Sequence, residues 1–213
     1  EVLGVNNKEF YQSFEEDPVL KARSDFVDSM VSHKSDVVSI AAFSIVEGAV
    51  LYSAFAFLMH FQAETKNKIP KIVSGITFSV KDENLHSEGG AYVSRLLEKE
   101  QRELGIYDES TKDSIINLAK SIYDGEVAIN KKIFEKGEII GYREKDANEF
   151  MKSRINLCLQ NLGIDPIFEV GDNPIAEWFY DAIGGERSND FFYSLSGSYN
   201  RDWSVDKLKW VNG

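Results

Sequence analysis

Residues 41–61, A-A-F-S-I-V-E-G-A-V-L-Y-S-A-F-A-F-L-M-H-F, decide the fold. The stretch reads as helix, is apolar on every side and carries one charge near its middle, Glu47. A helix with no polar face belongs at the centre of a helical bundle or in a bilayer. Its length would suit either setting. Glu47 at the centre, the small residues Ser44, Gly48 and Ser53, and the lack of a second such span favour the bundle, and no membrane is expected. A carboxylate in that setting loses its hydration at a cost of several kcal/mol. It calls for a cation.

The segment D-E-N-L-H, Asp82 to His86, follows 36 residues after Glu47, counted to Glu83. Glu83 and His86 are spaced i, i+3, so on a helix they leave the same face and can close on one ion. A ferritin-like dimetal bundle uses a lone Glu on each of two helices and Glu-x-x-His on each of two others. This chain shows one of each, which is half a site. Steps of three and four from Glu47 meet Ile40, Phe43, Ser44, Leu51, Ala54, Phe55 and Leu58, and from Glu83 they meet Ile76, Ser79, Val80, His86 and Gly90. Carboxylates and imidazole brought together on such apolar faces raise one another's pKa unless a metal holds them ionised. Carboxylate oxygen with imidazole nitrogen suits iron or manganese, with zinc also admitted. Asp82 points about 100° away from Glu83 and suits a hydrogen bond behind the ligands. The bland alternative pairs Glu47 with Arg or Lys and leaves Glu83 and His86 on a solvated face.

Other candidates read as structural. His60 lies 13 residues beyond Glu47, about 220° around the helix. Both it and His33 are expected to be ordinary, partly exposed histidines. Cys158 is the single cysteine, inside the apolar run I-N-L-C-L-Q-N-L-G, and is expected to fill core. Without a disulfide framework a reducing, cytoplasmic setting is expected. Gly89-Gly90 inside a helix implies a close helix approach. The N-terminal E-V-L-G-V-N-N-K-E-F has neither the basic region nor the apolar core of a signal peptide. A first residue other than Met suggests a processed product or a piece of a longer chain.

With 213 residues the chain can bury one core, and a single helical domain over 1–213 is expected, with 1–17 as a partial first helix and 202–213 as a C-terminal tail. A net charge of -11 argues against a nucleic-acid surface, which needs clustered Lys and Arg. Helices are expected up to about residue 15 and over 18–33, 35–66, 72–103, 109–137, 144–162, 174–184 and 188–196. Asp17-Pro18, Asp165-Pro166 and Asn173-Pro174 each set an N-cap residue before a proline fit for a first helical position. Turns are expected at Asn67 to Pro70, Gly105 to Asp108, Gly137 to Tyr142, Gly163 to Pro166 and Gly184-Gly185, with Gly163 capping the helix that ends at Leu162.

Four segments together resemble a known family. V-E-G-A-V-L-Y-S-A-F-A-F at 46–57, G-I-T-F-S-V-K-D-E-N-L-H at 75–86, R-I-N-L-C-L-Q-N-L-G at 154–163 and N-P-I-A-E-W at 173–178, then D-F-F at 190–192, are similar to the small subunit of class I ribonucleotide reductase. The likeness covers the C-terminal part of that family's length. It implies an all-α, ferritin-like helical bundle that is incomplete here at its N-terminus. It further implies a dinuclear metal centre, iron by preference and manganese as the alternative, that reacts with O2. The oxidising equivalent would pass to a large subunit, which reduces ribonucleotides to deoxyribonucleotides.

In that resemblance Glu47 matches the lone Glu ligand, and Glu83 with His86 match the second Glu-x-x-His. Asp82 matches an aspartate that tends the metal ligand and the radical relay. Leu51 and Phe55 match apolar positions walling the oxidant pocket, and Ser79 stands where a bulkier residue is usual. The first half-site, an Asp or Glu, a Glu-x-x-His and then the radical tyrosine, should precede Asp17-Pro18. One frame offers Glu1, with Gly4 for His and Lys8 for tyrosine, and a gapless frame from Asp17-Pro18 leaves Leu3 and Asn7 there. Tyr11 has the wrong spacing and is expected to pack.

The resemblance thus implies one piece of a split or cut small subunit, whose companion chain carries the N-terminal half-site. The alternatives are a non-catalytic structural companion, or another ferritin-like oxidase that activates O2. The expected partners are the large subunit and that companion, in a homo- or hetero-oligomer. Tyr199, Trp203 and Trp210 near the tail are candidates for docking on the large subunit and relaying the radical, with packing as the alternative.

Overall fold

The computed structural model describes residues 8–61 and 70–184. They form α1 (Lys8–Glu16), α2 (Pro18–Val31), α3 (Asp36–Ile45), a π-turn (Val46–Val50), α4 (Leu51–His60), α5 (Pro70–Glu103), α6 (Thr111–Phe134), α7 (Glu144–Asn161) and α8 (Pro174–Gly184). Among the described residues there is no strand, only one bridge between Ile139 and Tyr142 in the turn before α7. The helix expected over 188–196, the tail, and Tyr199, Trp203 and Trp210 lie outside the described residues, as do Glu1, Leu3, Gly4 and Asn7. Tyr11 falls on α1.

The apolar stretch forms the central rod. Asp36–His60 is long and apolar enough to cross a membrane, but much of it is buried against other helices. Two apolar clusters are built on this rod. One gathers Val38, Ala42, Ile45 and Ala49 with Ala119 and Ile122 of α6 and Ile155 and Leu159 of α7. The other gathers Tyr52, Ala56 and Met59 with Val80 of α5, Phe150 of α7 and Phe179 of α8. Cys158 is buried and unpaired in the first cluster, as its apolar run predicts.

The rod departs from the sequence expectation in one respect. It is not one α-helix over 35–66: at Val46–Val50 it widens into a π-turn, where the Leu51 N–H donates to the Val46 carbonyl five residues back. Such a turn holds one residue more than the i→i+4 ladder and is found often at functional sites. Glu47 sits in it.

Two of the proline signals cap helices and one does not. Asp17 Oδ1 accepts from the N–H groups of Val19 and Leu20 at 3.1 and 3.2 Å, and Asn173 Oδ1 accepts from Ala176 N–H at 3.2 Å. No helix follows Asp165-Pro166, because Asn156 of α7 claims the backbone there. Its side chain accepts from Ile167 and Phe168 N–H and donates to the Phe168 carbonyl. At Gly163, with φ of 78°, α7 ends as expected, with Gly163 N–H to Gln160 O and Ile164 N–H to Leu159 O.

His60 is corrected by the structure. It is only 3% exposed, because the Gly137 to Tyr142 turn folds over the end of α4. Its Nε2–H donates to the Ile140 carbonyl at 2.9 Å, amid Tyr142, Trp178 and Phe61. His33 is exposed as expected and accepts the Ser35 N–H at Nδ1.

Candidate metal centre

The site depends first on how α5 lies along the rod. Ser44 Oγ–H donates to the Ser87 carbonyl at 2.7 Å, and Ser87 Oγ–H donates back to the Ser44 carbonyl at 2.8 Å. Seven residues away on each helix, Ser94 Oγ–H donates to the Val37 carbonyl at 3.0 Å. In the other direction Tyr52 O–H donates to the Val80 carbonyl at 3.0 Å. These clamps lie two helical turns apart, so they fix both the antiparallel register and the rotation of the pair.

Glycine permits the close approach. A Cβ on Gly48 would fall 2.2 Å from Ser87 Oγ and 2.6 Å from Cys158 Sγ. One on Gly90 would fall 3.2 Å from Phe43 and Ser44 side-chain atoms, whereas Gly89 faces open space. Of the Gly89-Gly90 pair, only Gly90 serves the approach.

This register brings Glu47, Glu83 and His86 together, with one ligand atom from each inside 4.8 Å of the others. It is the one such group of His, Cys, Asp and Glu found among the described residues. His86 Nδ1 lies 2.8 Å from Glu83 Oε2. Burial pushes the Glu47 carboxyl up to about 7, and the adjoining Glu83 carboxyl, which hydrogen-bonds it, adds to the rise, while His86 pulls it down. The hydrogen bond to Glu83 chiefly raises the His86 pKa, and Glu47 and Asp82 add to that. Two carboxyl groups and an imidazole at this separation hold protons among themselves where a divalent cation would replace them. The donor set therefore fits a hard transition metal such as iron or manganese.

The surroundings differ from the sequence expectation. The stripe about Glu47 is not sealed in the core: Phe43 and Leu58 are exposed, and Leu51 and Phe55 are half-buried, as is Ser79 on α5. Glu47 is half-buried and the His86 side chain is 53% exposed, so the group opens along one side. Beyond it α5 presents Phe78, Leu85, Tyr92 and Leu96, all exposed. Asp82 is exposed on that outer line, near enough to His86 to add to the rise in its pKa.

The sequence reading passed over two polar groups in the core. Glu126 of α6 is buried, with Arg23 Nε of α2 at 2.9 Å and a hydrogen bond with Ser53. Burial pushes its carboxyl up to about 7 against the pull of Arg23 and Ser53. The sign lay in the α6 pattern, where Ile115, Ala119, Ile122, Glu126 and Ile129 share one face. The second is Arg154 of α7, 1% exposed, whose Nε–H donates to the Gly48 carbonyl at 2.7 Å. The signal is an Arg set among Phe150, Met151, Ile155 and Cys158.

The family described as ribonucleotide reductase, small chain, matches residues 1–174. The chain is 25% identical over 188 residues to the ribonucleoside-diphosphate reductase subunit beta of Bacillus subtilis strain 168, covering 83% of this chain and 52% of that one. It is 24% identical over 217 residues to the subunit beta of Bacillus phage SPbeta, covering 96% of this chain and 58% of that one. The chain spans about half the length of these curated relatives. In fold it resembles a putative class I ribonucleotide reductase from Bacillus halodurans, with a TM-score of 0.69 at 24% identity over 82% of this chain and 63% of that one. It also resembles the R2 subunit from Clostridium botulinum, with a TM-score of 0.72 at 20% identity over 84% and 57%. The all-α, ferritin-like architecture expected from sequence is thereby shown.

Proposed function

Since the chain belongs to the ribonucleotide reductase small-chain family, we propose that it supplies half the ligands of that subunit's dimetal centre, through Glu47, Glu83 and His86. The observation that carries the reading is the convergence of these three donors, from two helices clamped in register, on one open side. When loaded, such a centre supplies an oxidising equivalent drawn from O2 for ribonucleotide reduction in the large subunit. The chain's own residues hold and aim the ligands. Glu83 orients His86, Glu47 surrenders its proton as the cation enters, and Leu51 and Phe55 keep the near side apolar. Asp82 would accept a proton or a hydrogen bond at the open edge. Iron is the first choice of metal and manganese the second.

The remaining ligands would come from a companion chain carrying the N-terminal half-site, docked over the open side and the Phe78, Leu85, Tyr92 and Leu96 line. The large subunit is the further partner. A second reading, a structural companion without its own chemistry, draws on there being one such donor group among the described residues.

The test is uptake of Mn2+ and of Fe2+ followed by O2, for this chain alone and mixed with a chain carrying the N-terminal half-site. A tighter two-metal site and an oxidant signal in the mixture are expected, with Glu83→Ala abolishing binding. Unaltered binding by Glu83→Ala sinks the ligand assignment. Absence of any oxidant in the mixture leaves the structural companion standing.

A further inference from the structure

We propose that Arg154 is a positioning residue for the metal-binding carboxylate: from α7 it holds the π-turn Val46–Val50 and so fixes where Glu47 points. The proposal rests on the reading of Glu47 as a ligand. Arg154 is almost fully buried, yet among the described residues none of its partners is a carboxylate. Its Nε–H donates to the Gly48 carbonyl at 2.7 Å and a terminal N–H donates to the Tyr180 hydroxyl at 2.9 Å. The guanidinium carbon lies 3.7 Å from the Tyr52 ring centroid, in the arrangement that favours a cation over an aromatic face.

A buried cation without a counter-charge is costly, and an apolar side chain of that length would fill the space without the cost. What the guanidinium does that an apolar chain cannot is donate to a carbonyl inside a helix. In the π-turn the i→i+4 ladder falls one residue out of step, and the Gly48 carbonyl within it accepts from a donor outside the helix. Arg154 supplies that donor at the residue next to Glu47.

The grip has further parts. Cys158, four residues along α7 from Arg154, closes on Gly48 from the same helix, and Ser87 closes on it from α5. Tyr52, beneath the guanidinium, donates to the Val80 carbonyl and lies 3.4 Å from Asn84 Oδ1, beside Glu83. A continuous set of contacts thus joins Tyr180, Arg154, the Glu47 turn and the Glu83 segment of α5.

A merely structural Arg154 would staple α7 to α8, and its loss would loosen both without singling out the π-turn. The experiment compares Arg154→Met, Arg154→Lys and wild type by amide hydrogen exchange and by Co2+ titration followed through visible absorption. In Arg154→Met, the Gly48 to Tyr52 amides are expected to exchange about tenfold faster relative to those of α6. Co2+ binding should weaken roughly 10- to 100-fold, the range for residues that orient ligands. Arg154→Lys keeps a donor and loses the flat fork, so it should fall between the two.

Exchange and Co2+ affinity in Arg154→Met within about twofold of wild type overturn the proposal, as does a Lys variant no better than Met. If Arg154→Met does not fold, Tyr180→Phe takes its place, since it removes one acceptor and leaves the packing. Faster exchange confined to 48–52 then supports the proposal, and an unchanged pattern overturns it. A wild-type chain that takes up no Co2+ refutes the ligand reading of Glu47, and the exchange contrast still decides whether Arg154 holds the turn.

Discussion

Glu47 and Glu126 each lie on an apolar helix face, and burial lifts each carboxyl to about 7. Around Glu126 the structure supplies the opposing charge, since Arg23 lies at 2.9 Å and Ser53 adds a hydrogen bond. Around Glu47 it supplies a second carboxyl, which adds to the rise, and a half-exposed histidine, whose pull offsets only part of it. The first arrangement is complete within the fold, and the second is the one we propose a cation completes. A raised carboxyl pKa therefore does not mark a functional site by itself; the partners do.

The sharpest way to break this contrast is to take away the Glu126 partner. Arg23→Met should destabilise the protein by about 3 kcal/mol, near the low end for breaking a buried pair because Arg23 is partly exposed. Urea unfolding near pH 8 measures it, and a loss below ~0.5 kcal/mol would mean the pair is not structural.

Next in size is the response to metal. At a concentration of Mn2+ a hundred times its Kd, wild type should gain about 2.7 kcal/mol, read as a rise in Tm. Glu126→Gln should show the same gain and Glu47→Gln should lose it. A gain surviving Glu47→Gln would remove the distinction between the two carboxylates.

The pH dependence follows from the direction of both shifts. Each folded carboxyl keeps its proton up to about pH 7, whereas the unfolded chain releases it near 4.5. The folded state binds more protons in that window, so the contribution of these two groups to stability without metal is greatest below about 4.5 and declines as pH rises through 7. Glu126→Gln should remove a part of that decline on the order of 2 kcal/mol, and Glu47→Gln a smaller part, since Glu47 is the more exposed. Chemical denaturation at pH 5 and pH 8 checks both, and a slope untouched by either variant contradicts the assignment. Smallest of all, His33→Ala should change stability by less than ~0.5 kcal/mol and metal binding not at all.

The sequence disclosed the grouping of Glu47, Glu83 and His86 because its signals are local. Glu47 stands out against apolar neighbours, and the i, i+3 spacing of Glu83 and His86 follows from helix geometry alone. Helix ends at Asp17, Leu162 and Asn173 were legible for the same reason, since a cap and its amide lie within a few residues. What escaped depended on long-range contacts. His60 is buried by a turn some 80 residues away, Asn156 overrides the Asp165-Pro166 signal from a neighbouring helix, and Arg154 meets Gly48 across 106 residues. The π-turn was hidden because Gly48 in mid-helix reads equally well as a close packing contact, which it also makes.

That turn also marks where the chain can change length. A five-residue turn carries one residue more than the helices on either side, so a single deletion within 46–50 would leave a plain α-helix, with α3 and α4 both intact. A deletion anywhere else between Val37 and Ser44 would pull the serine clamps on α5 out of step. Val46–Val50 is therefore the segment in which the chain could shed a residue and keep its helical register, at the cost of the aim of Glu47 and of the contacts that Gly48 makes with Ser87, Cys158 and Arg154.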